Sequence, residues 1–369
     1  MDSIWLMLYN WQMPSWPEFR FSMEKIESLL LEFLDCAGQL GGALKALPKG
    51  KETEAMLEVM LAEAINTSQI ESEYLDRDDV MSSLRNRMGL EFLPRRAQDG
   101  AAKGVAELMV EVRERWSEPL SEDMLFYWHE LLFEGTSSGR IGVWRTGDEP
   151  MQVVSGRIGR QRVHFEAPPS GRVADEMGQY IHWFNTVAPQ ALHPPVRAAV
   201  AHLYFESIHP FEDGNGRIGR ALAEKALSQA LGRPAVLSLS AVIERRKADY
   251  YRELSEAQQS VDVSNWVQFF AEVTLDAQRQ ALETVDFVLK QARFFDQFGS
   301  ALSDRQRKVL RRVFEEGPDG FQGALNARKY ASLTRTSKAT ATRDLQQLFE
   351  IGALEAIGSG RSRRYTPLI

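Results

Sequence analysis

Apolar side chains recur every three to four positions through most of the first 295 residues of this chain. Within 52–73, for example, Leu57, Leu61 and Ala64 keep the spacing of one helix face, and charged residues fill the other face. Gly, Pro or Ser separates one such segment from the next. The segments are 24–47, 52–73, 101–116, 121–134, 172–187, 194–208, 216–231, 241–259 and 264–295. This pattern predicts a mainly α fold.

Two segments depart from the helical spacing. Short β-prone runs, Val153-Val154 and Val163-His-Phe165, flank the glycine-containing stretch 155–160, and this arrangement predicts a β-hairpin at 153–165. The first 22 residues are dense in Trp, Pro and Phe, with Trp5, Trp11 and Trp16 among them. That composition favours an irregular arm packed on a larger body over a regular element.

The last 70 residues follow a different plan. Helical segments at 304–315, 326–333 and 336–349 precede two short extended pieces around Gly358-Ser-Gly360. Three helices and a two-stranded wing predict a winged helix-turn-helix domain at 300–369. A chain of 369 residues is long enough for two or three domains. The expected division is an aromatic N-terminal module (1–50), a central helical domain (51–295) and the winged helix (300–369).

Charge is unevenly distributed along the chain. The whole sequence has 44 basic and 51 acidic side chains and a net charge of −7, which argues against nonspecific nucleic-acid binding by the chain as a whole. Residues 300–369 alone hold 13 Lys or Arg against 7 Asp or Glu. The helix 336–345 begins with Thr, Ser and Lys, and Arg361, Arg363 and Arg364 lie in the wing. This domain therefore suits DNA contact, although winged helices also serve as dimerisation or protein-docking modules, so a homodimer stays open.

Cysteine occurs once, at Cys36, which excludes an intramolecular disulfide and a cysteine-rich zinc site. Any metal must therefore be held by oxygen or imidazole. No apolar run approaches the roughly 18 residues that span a bilayer, and the amino terminus lacks a basic stretch followed by an apolar core. These features predict a cytoplasmic protein without membrane contact.

The run from His209 to Arg220 combines groups that suit chemistry on phosphates. A helix rich in Ala, Val and Leu stops at His209-Pro210, which places the imidazole at a helix end. The following loop, Asp213-Gly-Asn-Gly216, has two glycines and opens the next helix. Backbone N–H groups at such a helix N-terminus can bind an anion.

Three charged residues extend this arrangement. Arg217 and Arg220 lie three apart in the first turn of the helix, so both can reach a polyphosphate from one side. Asp213 offers an oxygen ligand to Mg²⁺, which binds carboxylates together with substrate phosphates and water. Each feature alone also occurs in ordinary turns and solvated helices. Their occurrence within twelve residues favours a site with a base, a metal ligand, a phosphate cradle and two cationic clamps.

The run His209-Pro-Phe-Glu-Asp-Gly-Asn-Gly-Arg-Ile-Gly-Arg220 resembles the motif of the Fic family, His-x-Phe-x-(Asp/Glu)-Gly-Asn-Gly-Arg-x-x-Arg, at every specified position. The resemblance covers about residues 52–290. It implies a Fic-type helical bundle in which the hairpin forms a flap over the active site and docks the target protein. It also implies a protein adenylyltransferase, which moves AMP from ATP to a Ser, Thr or Tyr hydroxyl of a target protein and releases diphosphate.

The resemblance also implies residue roles. His209 would deprotonate the target hydroxyl, and a neutral imidazole suits this task near pH 7. Asp213 would bind Mg²⁺, Arg217 the β-phosphate side and Arg220 the γ-phosphate. The positions that bind the nucleotide or anchor its loop would be Phe211, Gly214, Asn215, Gly216, Arg217 and Arg220.

A second motif lies in the helix at 60–73. Thr67-Ser-Gln-Ile-Glu71-Ser72 is similar to the inhibitory motif of the same family, (Ser/Thr)-x-x-x-Glu-(Gly/Asn). The resemblance implies that Glu71 pairs with Arg220 and keeps the γ-phosphate from seating, so that the enzyme inhibits itself. Ser72 stands where the motif has Gly or Asn. A related role for Glu71 is to position a water molecule that removes AMP from the target.

Two other functions stay open at this point. The chain could be a nucleotide-sensing, DNA-binding transcriptional regulator whose site no longer turns over, but such a site usually loses its base, and His209 is present. It could also be a kinase that phosphorylates its target. The kinase branch of the family typically lacks the second glycine of the cradle, which here is Gly216.

Overall fold

The structure is a computed structural model that describes residues 8–90, 99–134, 139–155, 162–314, 324–358 and 363–369. Trp5, the hairpin tip at 156–160, the break at 317–320 and Arg361 lie outside the described residues. The chain divides into two compact units. The first consists of Met1–Gly38 and Leu57–Arg279, and the second of Gln39–Met56 and Gln280–Ile369. The sequence-based domain boundaries stay predictions.

The fold is mainly helical, as predicted. The helices are α1 (Glu27–Ala46), α2 (Lys51–Ile70), α3 (Arg77–Arg87), α4 (Gly100–Glu114), α5 (Glu122–Leu132), α6 (Val173–His182), α7 (Ala188–Ala191), α8 (Pro194–Ile208), α9 (Asn215–Leu231), α10 (Leu239–Arg245), α11 (Lys247–Ala257), α12 (Ser264–Phe298), α13 (Asp304–Phe314), α14 (Ala327–Thr334) and α15 (Lys338–Glu350). A π-helical turn, Trp183–Val187, joins α6 to α7.

The structure contains one helix that the sequence did not predict, and one helix prediction was wrong. Helix α3 was not expected, because only Val80 and Leu84 of its eleven residues are large apolar side chains buried in the core. Asp76 caps it by accepting hydrogen bonds from two backbone N–H groups. The single helix expected at 241–259 is instead α10 and α11, interrupted at Arg246. Arg246 donates to Glu272 at 3.0 Å and lies over the Phe269 ring, so contact with α12 fixes the break.

The core of the first unit forms around α8, whose residues from Pro195 to Ile208 are all buried. Helix α9 packs along α8, and α4 and α5 complete the surrounding layer. Close helix packing depends on small residues: a Cβ on Gly104 of α4 would lie 2.0 Å from the carbonyl oxygen of Leu131 on α5. The connection between α8 and α9 is therefore held between two rigid, buried helices.

The predicted hairpin is present. Strand β1 (Gln152–Ser155) pairs antiparallel with β2 (Arg162–Glu166), with a bulge between Val153 and Val154. In the second unit, β3 (Leu354–Ile357) pairs antiparallel with β4 (Arg364–Pro367) after α13, α14 and α15. Leu325 adds a single bridge to Tyr365. These elements match the expected order, and the assignment to the winged-helix class stays a prediction.

Candidate active site

His209 closes α8 in a strained conformation. Its φ of 51° is left-handed, which a side chain with a Cβ disfavours, and its N–H still donates to the carbonyl oxygen of Phe205 at 2.9 Å. Pro210 follows and prevents the helix from continuing. The imidazole therefore projects from the helix end instead of lying against a core face.

Arg145 holds this helix end in place. Its guanidinium group donates to the carbonyl oxygens of His209 at 2.7 Å, Ile208 at 3.3 Å and Pro168 at 2.5 Å. Its backbone N–H donates to Pro210 at 2.9 Å. Burial lowers the pKa of Arg145 to about 10, and the negative end of the α8 dipole favours its charge. One buried cation thus ties the end of α8 to the segment that follows the hairpin.

The loop after His209 is closed by its own side chains. Asn215 accepts a hydrogen bond from the N–H of Phe211 and donates to its carbonyl oxygen, both at 2.9 Å. Phe211 is fully buried and stacks on His129, with ring centroids 4.1 Å apart. The side chain of Asn215 therefore closes the loop, and its backbone N–H is the group of this residue that could bind a phosphate.

His129 supports the same loop from α5. Its Nδ1 accepts the N–H of Gly142 at 3.0 Å, so Nε2 carries the proton and donates to the carbonyl oxygen of Asp213 at 3.2 Å. Burial lowers the pKa of His129, which keeps the ring neutral. Gly214 then turns the chain into α9 with a φ of 81°, which a glycine adopts readily.

Arg220 is almost fully buried and strongly paired. Its Nε donates to Thr67 Oγ1 at 2.8 Å, and its Nη2 donates to Thr67 O at 2.9 Å and to Glu71 Oε1 at 2.8 Å. Burial opposes the charge, but Glu71 outweighs it and raises the pKa of Arg220 above its ordinary value. The predicted partners Thr67, Glu71 and Arg220 are thus brought together by α2 and α9.

Arg217 has a carboxylate partner as well. Its Nη1 donates to Glu73 Oε2 at 2.7 Å, and its guanidinium group lies over the Phe133 ring. Two buried donors, Arg217 Nε and Arg220 Nη1, make no hydrogen bond within the described residues. Both arginines therefore hold carboxylates from the end of α2.

The end of α2 has the geometry of a Schellman motif. The N–H of Ser72 donates to Gln69 O and that of Glu73 to Ser68 O, both at 2.9 Å. Ser72 has a φ of 65°, the left-handed position that usually holds glycine or asparagine. Glycine or asparagine would adopt this conformation more readily than Ser72 does. This conformation also directs Glu71 and Glu73 at the two arginines.

A cavity of about 590 Å³ adjoins these groups, within the usual size range for small-molecule sites. Its walls come from the hairpin, from the loop between α8 and α9, and from α11. The residues that line it include Glu71, Val154, His164, Glu206, His209, Asp213, Gly214, Asn215, Gly216, Tyr250, Leu254 and Gln258. His209, the Asp213 carboxylate and a glycine-rich helix start therefore line the same cavity.

Residues 119–227 match the model of the Fic/DOC family. They include α5, the hairpin, α8, and the whole loop from His209 to Arg220. This chain carries a Fic/DOC family domain. Residues 9–90, which include Glu71 and Glu73, match a separate domain of unknown function, DUF4172.

Curated relatives of the Fic/DOC domain are named protein adenylyltransferase Fic. Those of Drosophila mojavensis and Drosophila virilis are each 34% identical to this chain over 125 residues, which is 33% of the chain. The match covers about a quarter of the length of these relatives. The sequence similarity therefore concerns about a third of this chain.

Solved structures agree with the fold. A Fic family protein from Desulfovibrio desulfuricans aligns over 95% of this chain and 98% of its own, with a TM-score of 0.58 and 22% identity. A Fic domain containing signaling protein from Bacteroides thetaiotaomicron aligns over 72% of this chain and 97% of its own, with a TM-score of 0.54 and 18% identity. At these identities the likeness shows the fold alone.

The Fic/DOC domain offers little to a metal ion by itself. No group of three or more His, Cys, Asp or Glu side chains within the described part of the chain could hold one. Asp213 is exposed at the cavity, and one of its oxygens accepts the N–H of Gly214 at 2.6 Å. A single carboxylate fits a cation held largely by phosphates and water, as Mg²⁺ is.

Several residues around the Fic/DOC site were not expected from the sequence: Glu73, His129, Arg145 and Glu206. Each acts on the motif from elsewhere in the chain or from inside α8, outside the predicted run. Only Glu73 had a local signal, because it follows Glu71 at the same helix end.

No helix of the described residues is long and apolar enough to cross a membrane.

Proposed function

We propose that this chain is a protein adenylyltransferase that moves AMP from ATP to a Ser, Thr or Tyr hydroxyl of a target protein. The observation that carries the proposal is the shared cavity, which His209, Asp213 and the glycine-rich start of α9 line together. The names of the curated relatives point to the same activity.

The reaction needs a base, an anion site and room for a nucleoside. The target hydroxyl gives its proton to His209, its oxygen forms a bond to the α-phosphorus of ATP, and the bond to the diphosphate breaks. The proton then leaves His209 for solvent, and diphosphate is released. Arg217, Arg220 and the first N–H groups of α9 bind the phosphates. The wall from α11, with Tyr250 and Leu254, offers an apolar surface to the nucleoside.

Mg²⁺ fits this site through Asp213 and the phosphates of ATP. When bound, it would neutralise phosphate charge and favour departure of the diphosphate. The protein residues position the substrate and accept the proton.

The contacts at the end of α2 support self-inhibition. Glu71 forms a salt bridge with Arg220, the side chain that would hold the γ-phosphate. Glu71 also lies close to Gly216, since a Cβ on Gly216 would lie only 2.2 Å from Glu71 Oε1. The Glu71 carboxylate thus lies directly over the phosphate cradle. ATP in a productive position must displace it or compete with its charge.

The hairpin is the proposed docking site for the target. Val154 and Val163 are about two-fifths exposed, and Val153, Val154 and Phe165 line the cavity. The sheet has two strands within the described residues, so each strand keeps one open edge. A target segment could add to such an edge by backbone hydrogen bonds and present its hydroxyl group to His209.

The test compares wild type, Glu71→Gly and Glu71→Gly/His209→Ala, each incubated with Mg²⁺, cell lysate, and ATP labelled at the α- or the γ-phosphate. We expect protein-bound label from the α position only, strongest in Glu71→Gly and absent without His209. Label from the γ position would support a kinase instead. No label in any variant would overturn the proposal. A separate incubation of pre-labelled target with wild type tests removal of AMP.

A second candidate function, DNA binding, concerns residues 300–369. Helix α15 exposes Lys338, Thr342 and Arg343 along one side, and its N-terminus is capped by Ser337. These side chains suit phosphates and base edges, and the region has an excess of basic residues. We propose that this region contacts DNA, which would join the nucleotide site to a DNA-binding regulator.

Fluorescence anisotropy with a labelled DNA duplex tests this function. We expect the full chain to bind with an affinity that falls as salt rises, and Lys338→Ala or Arg343→Ala to lower the salt slope by about one. Lys290→Ala on α12 is the charge-matched control. Binding that no α15 variant changes, or the absence of binding at low salt, would contradict DNA contact through this helix.

A further inference from the structure

Glu206 lies one turn before His209 on α8, beneath the proposed base. Its side chain is buried, and its Oε2 is 3.5 Å from His209 Nδ1. His209 Nδ1 makes no hydrogen bond within the described residues, and neither does the other carboxylate oxygen, Glu206 Oε1. The carboxylate is therefore the acceptor next to this ring nitrogen, with Oε2 at the outer limit of hydrogen-bond distance.

Charged and titratable groups surround Glu206 from several elements. His202 lies one turn earlier on α8, Arg220 lies on α9, and Tyr250 and Tyr251 lie on α11. Burial alone would raise the pKa of Glu206, but His209, His202 and Arg220 outweigh burial and lower it. The carboxylate is therefore ionised in the interior.

Gly219 provides the space for this carboxylate. A Cβ at position 219 would lie 2.7 Å from Glu206 Oε1 and 2.9 Å from His202 Nδ1. Gly219 occupies one of the two unspecified positions between the motif arginines, inside a helix where glycine costs about 1 kcal/mol relative to alanine. The absence of a side chain there lets α8 present Glu206 and His202 to α9.

We infer that Glu206 is a positioning residue that holds His209 with its proton on Nδ1 and so leaves Nε2 free to accept the proton of the target hydroxyl. The inference rests on the proposed function for its catalytic meaning. A carboxylate on the second ring nitrogen of a catalytic histidine fixes the tautomer and stabilises the imidazolium that forms. Glu206 plays that part here through Nδ1.

His202 is the competing partner for the same carboxylate. Its Nδ1 has no hydrogen bond within the described residues, whereas its Nε2 pairs with the Tyr250 hydroxyl at 2.8 Å. His202 is fully buried and does not line the cavity, whereas His209 does. A test must therefore distinguish the two rings.

The test reads the tautomers directly. Histidine rings labelled with nitrogen-15 are observed by NMR at a pH where imidazole is neutral, and His209→Ala and His202→Gln assign the two signals. We expect His209 in the Nδ1–H form in wild type and a loss of that preference in Glu206→Leu. Gly219→Ala, which keeps the charge but displaces the carboxylate, should act in the same direction. Glu111→Leu is the control for loss of a buried carboxylate elsewhere.

Kinetics in the Glu71→Gly background give the second measurement. We expect Glu206→Leu to lower kcat for AMP transfer about 10- to 100-fold, with the KM for ATP changed less than about twofold, because only proton transfer is affected. Glu206→Asp, which keeps a carboxylate, should recover part of kcat.

Each outcome separates the two claims. An Nε2–H tautomer of His209 in wild type, or a tautomer that Glu206→Leu leaves unchanged, would overturn the inference even in an active enzyme. Changes confined to the His202 signals would assign Glu206 to His202 and overturn it as well. A His209 tautomer set by Glu206 in a protein that transfers no AMP would support the positioning and contradict only the proposed function.

Discussion

Ser72 has a backbone conformation that its Cβ disfavours. Its φ of 65° costs a residue with a side chain roughly 1 kcal/mol relative to glycine. We therefore expect Ser72→Gly to stabilise the end of α2 and to raise the thermal midpoint of unfolding by a few degrees. Because the end of α2 holds Glu71, the same variant should also tighten inhibition and lower basal AMP transfer.

Ser72→Ala is the matched control, since alanine meets the same restriction. It should leave the midpoint close to that of wild type. An equal gain from alanine and glycine would show that the left-handed conformation is not the cause.

Glu224 gives a prediction for pH. Burial, followed by the charge of Glu63, raises the pKa of Glu224 from 4.5 to about 8 in the folded chain. The folded state thus binds more protons than the unfolded state between these values, so stability falls as pH rises through that window. Glu224→Gln removes this effect, and we expect its thermal midpoint to exceed that of wild type increasingly from pH 5 to pH 9.

The exposed Glu114→Gln controls for loss of a surface charge. A difference between Glu224→Gln and wild type that stays constant over the pH range would contradict the raised pKa.

At the residue scale, the sequence located the contiguous motif but missed the groups that act on it from a distance. His209, Asp213 and Arg220 lie in one run, so their grouping needs no fold. Glu73 reaches Arg217 across 144 positions, and Arg145 reaches His209 across 64. Pairs of this kind depend on how the helices pack against each other. The local spacing of residues in the sequence does not predict this packing.

The end of α2 acts as a unit on the proposed phosphate site, because it supplies both carboxylates. Glu71 and Glu73 are both about one-third exposed, but Glu71 pairs with the more deeply buried arginine, Arg220, and also lies against Gly216 at the start of α9. We expect Glu71→Gln to tighten ATP binding by about tenfold or more, and Glu73→Gln by less than about tenfold. Titration calorimetry with ATP and Mg²⁺ measures both variants.

Glu58→Gln is the control on the same helix, since Glu58 pairs with the exposed Arg77. It should leave ATP affinity unchanged. Equal affinities in wild type, Glu71→Gln and Glu73→Gln would contradict a role for the end of α2 in blocking the phosphates.

Helix boundaries show where local patterns stop being informative. The apolar spacing gave α8 and α9 almost to the residue, because both are buried along their length. The apolar spacing did not predict helix α3, because the surface of this helix is largely polar. Asp76 and the acidic first turn nevertheless mark the start of a helix. The break at Arg246 has no Gly or Pro, and a contact with α12 causes it.

At the scale of the whole chain, the first described residues reach the site. Trp11 Nε1 donates to Glu166 O at 2.7 Å, at the end of β2, and Asn10 donates to Ser207 Oγ on α8 at 2.9 Å. The arm therefore braces both the hairpin and the helix that ends in His209. We expect Trp11→Phe to speed amide hydrogen exchange in β1 and β2 by removing that bond.

Trp16→Phe is the matched control, because Trp16 Nε1 donates instead to Glu176 on α6. Its hairpin exchange should match that of wild type. Faster exchange in both variants, or in neither, would contradict a specific brace through Trp11.

The helical class and the hairpin followed from sequence periodicity, and the motif identified the family. The division into two units did not follow, because α1, α2 and α12 each contribute residues to both units. This division depends on contacts between segments that are distant in the sequence. A change in amino-acid composition along the chain does not mark it, because its boundaries lie inside helices.

The chemical identity of the adduct on the target protein is the most direct test of AMP transfer. Tandem mass spectrometry of proteins incubated with ATP, Mg²⁺ and the Glu71→Gly variant reads which group is attached and to which side chain. We expect AMP esterified to a Ser, Thr or Tyr hydroxyl, and none when His209→Ala is added. A phosphate in place of AMP, or no adduct from a variant that binds ATP, would contradict AMP transfer.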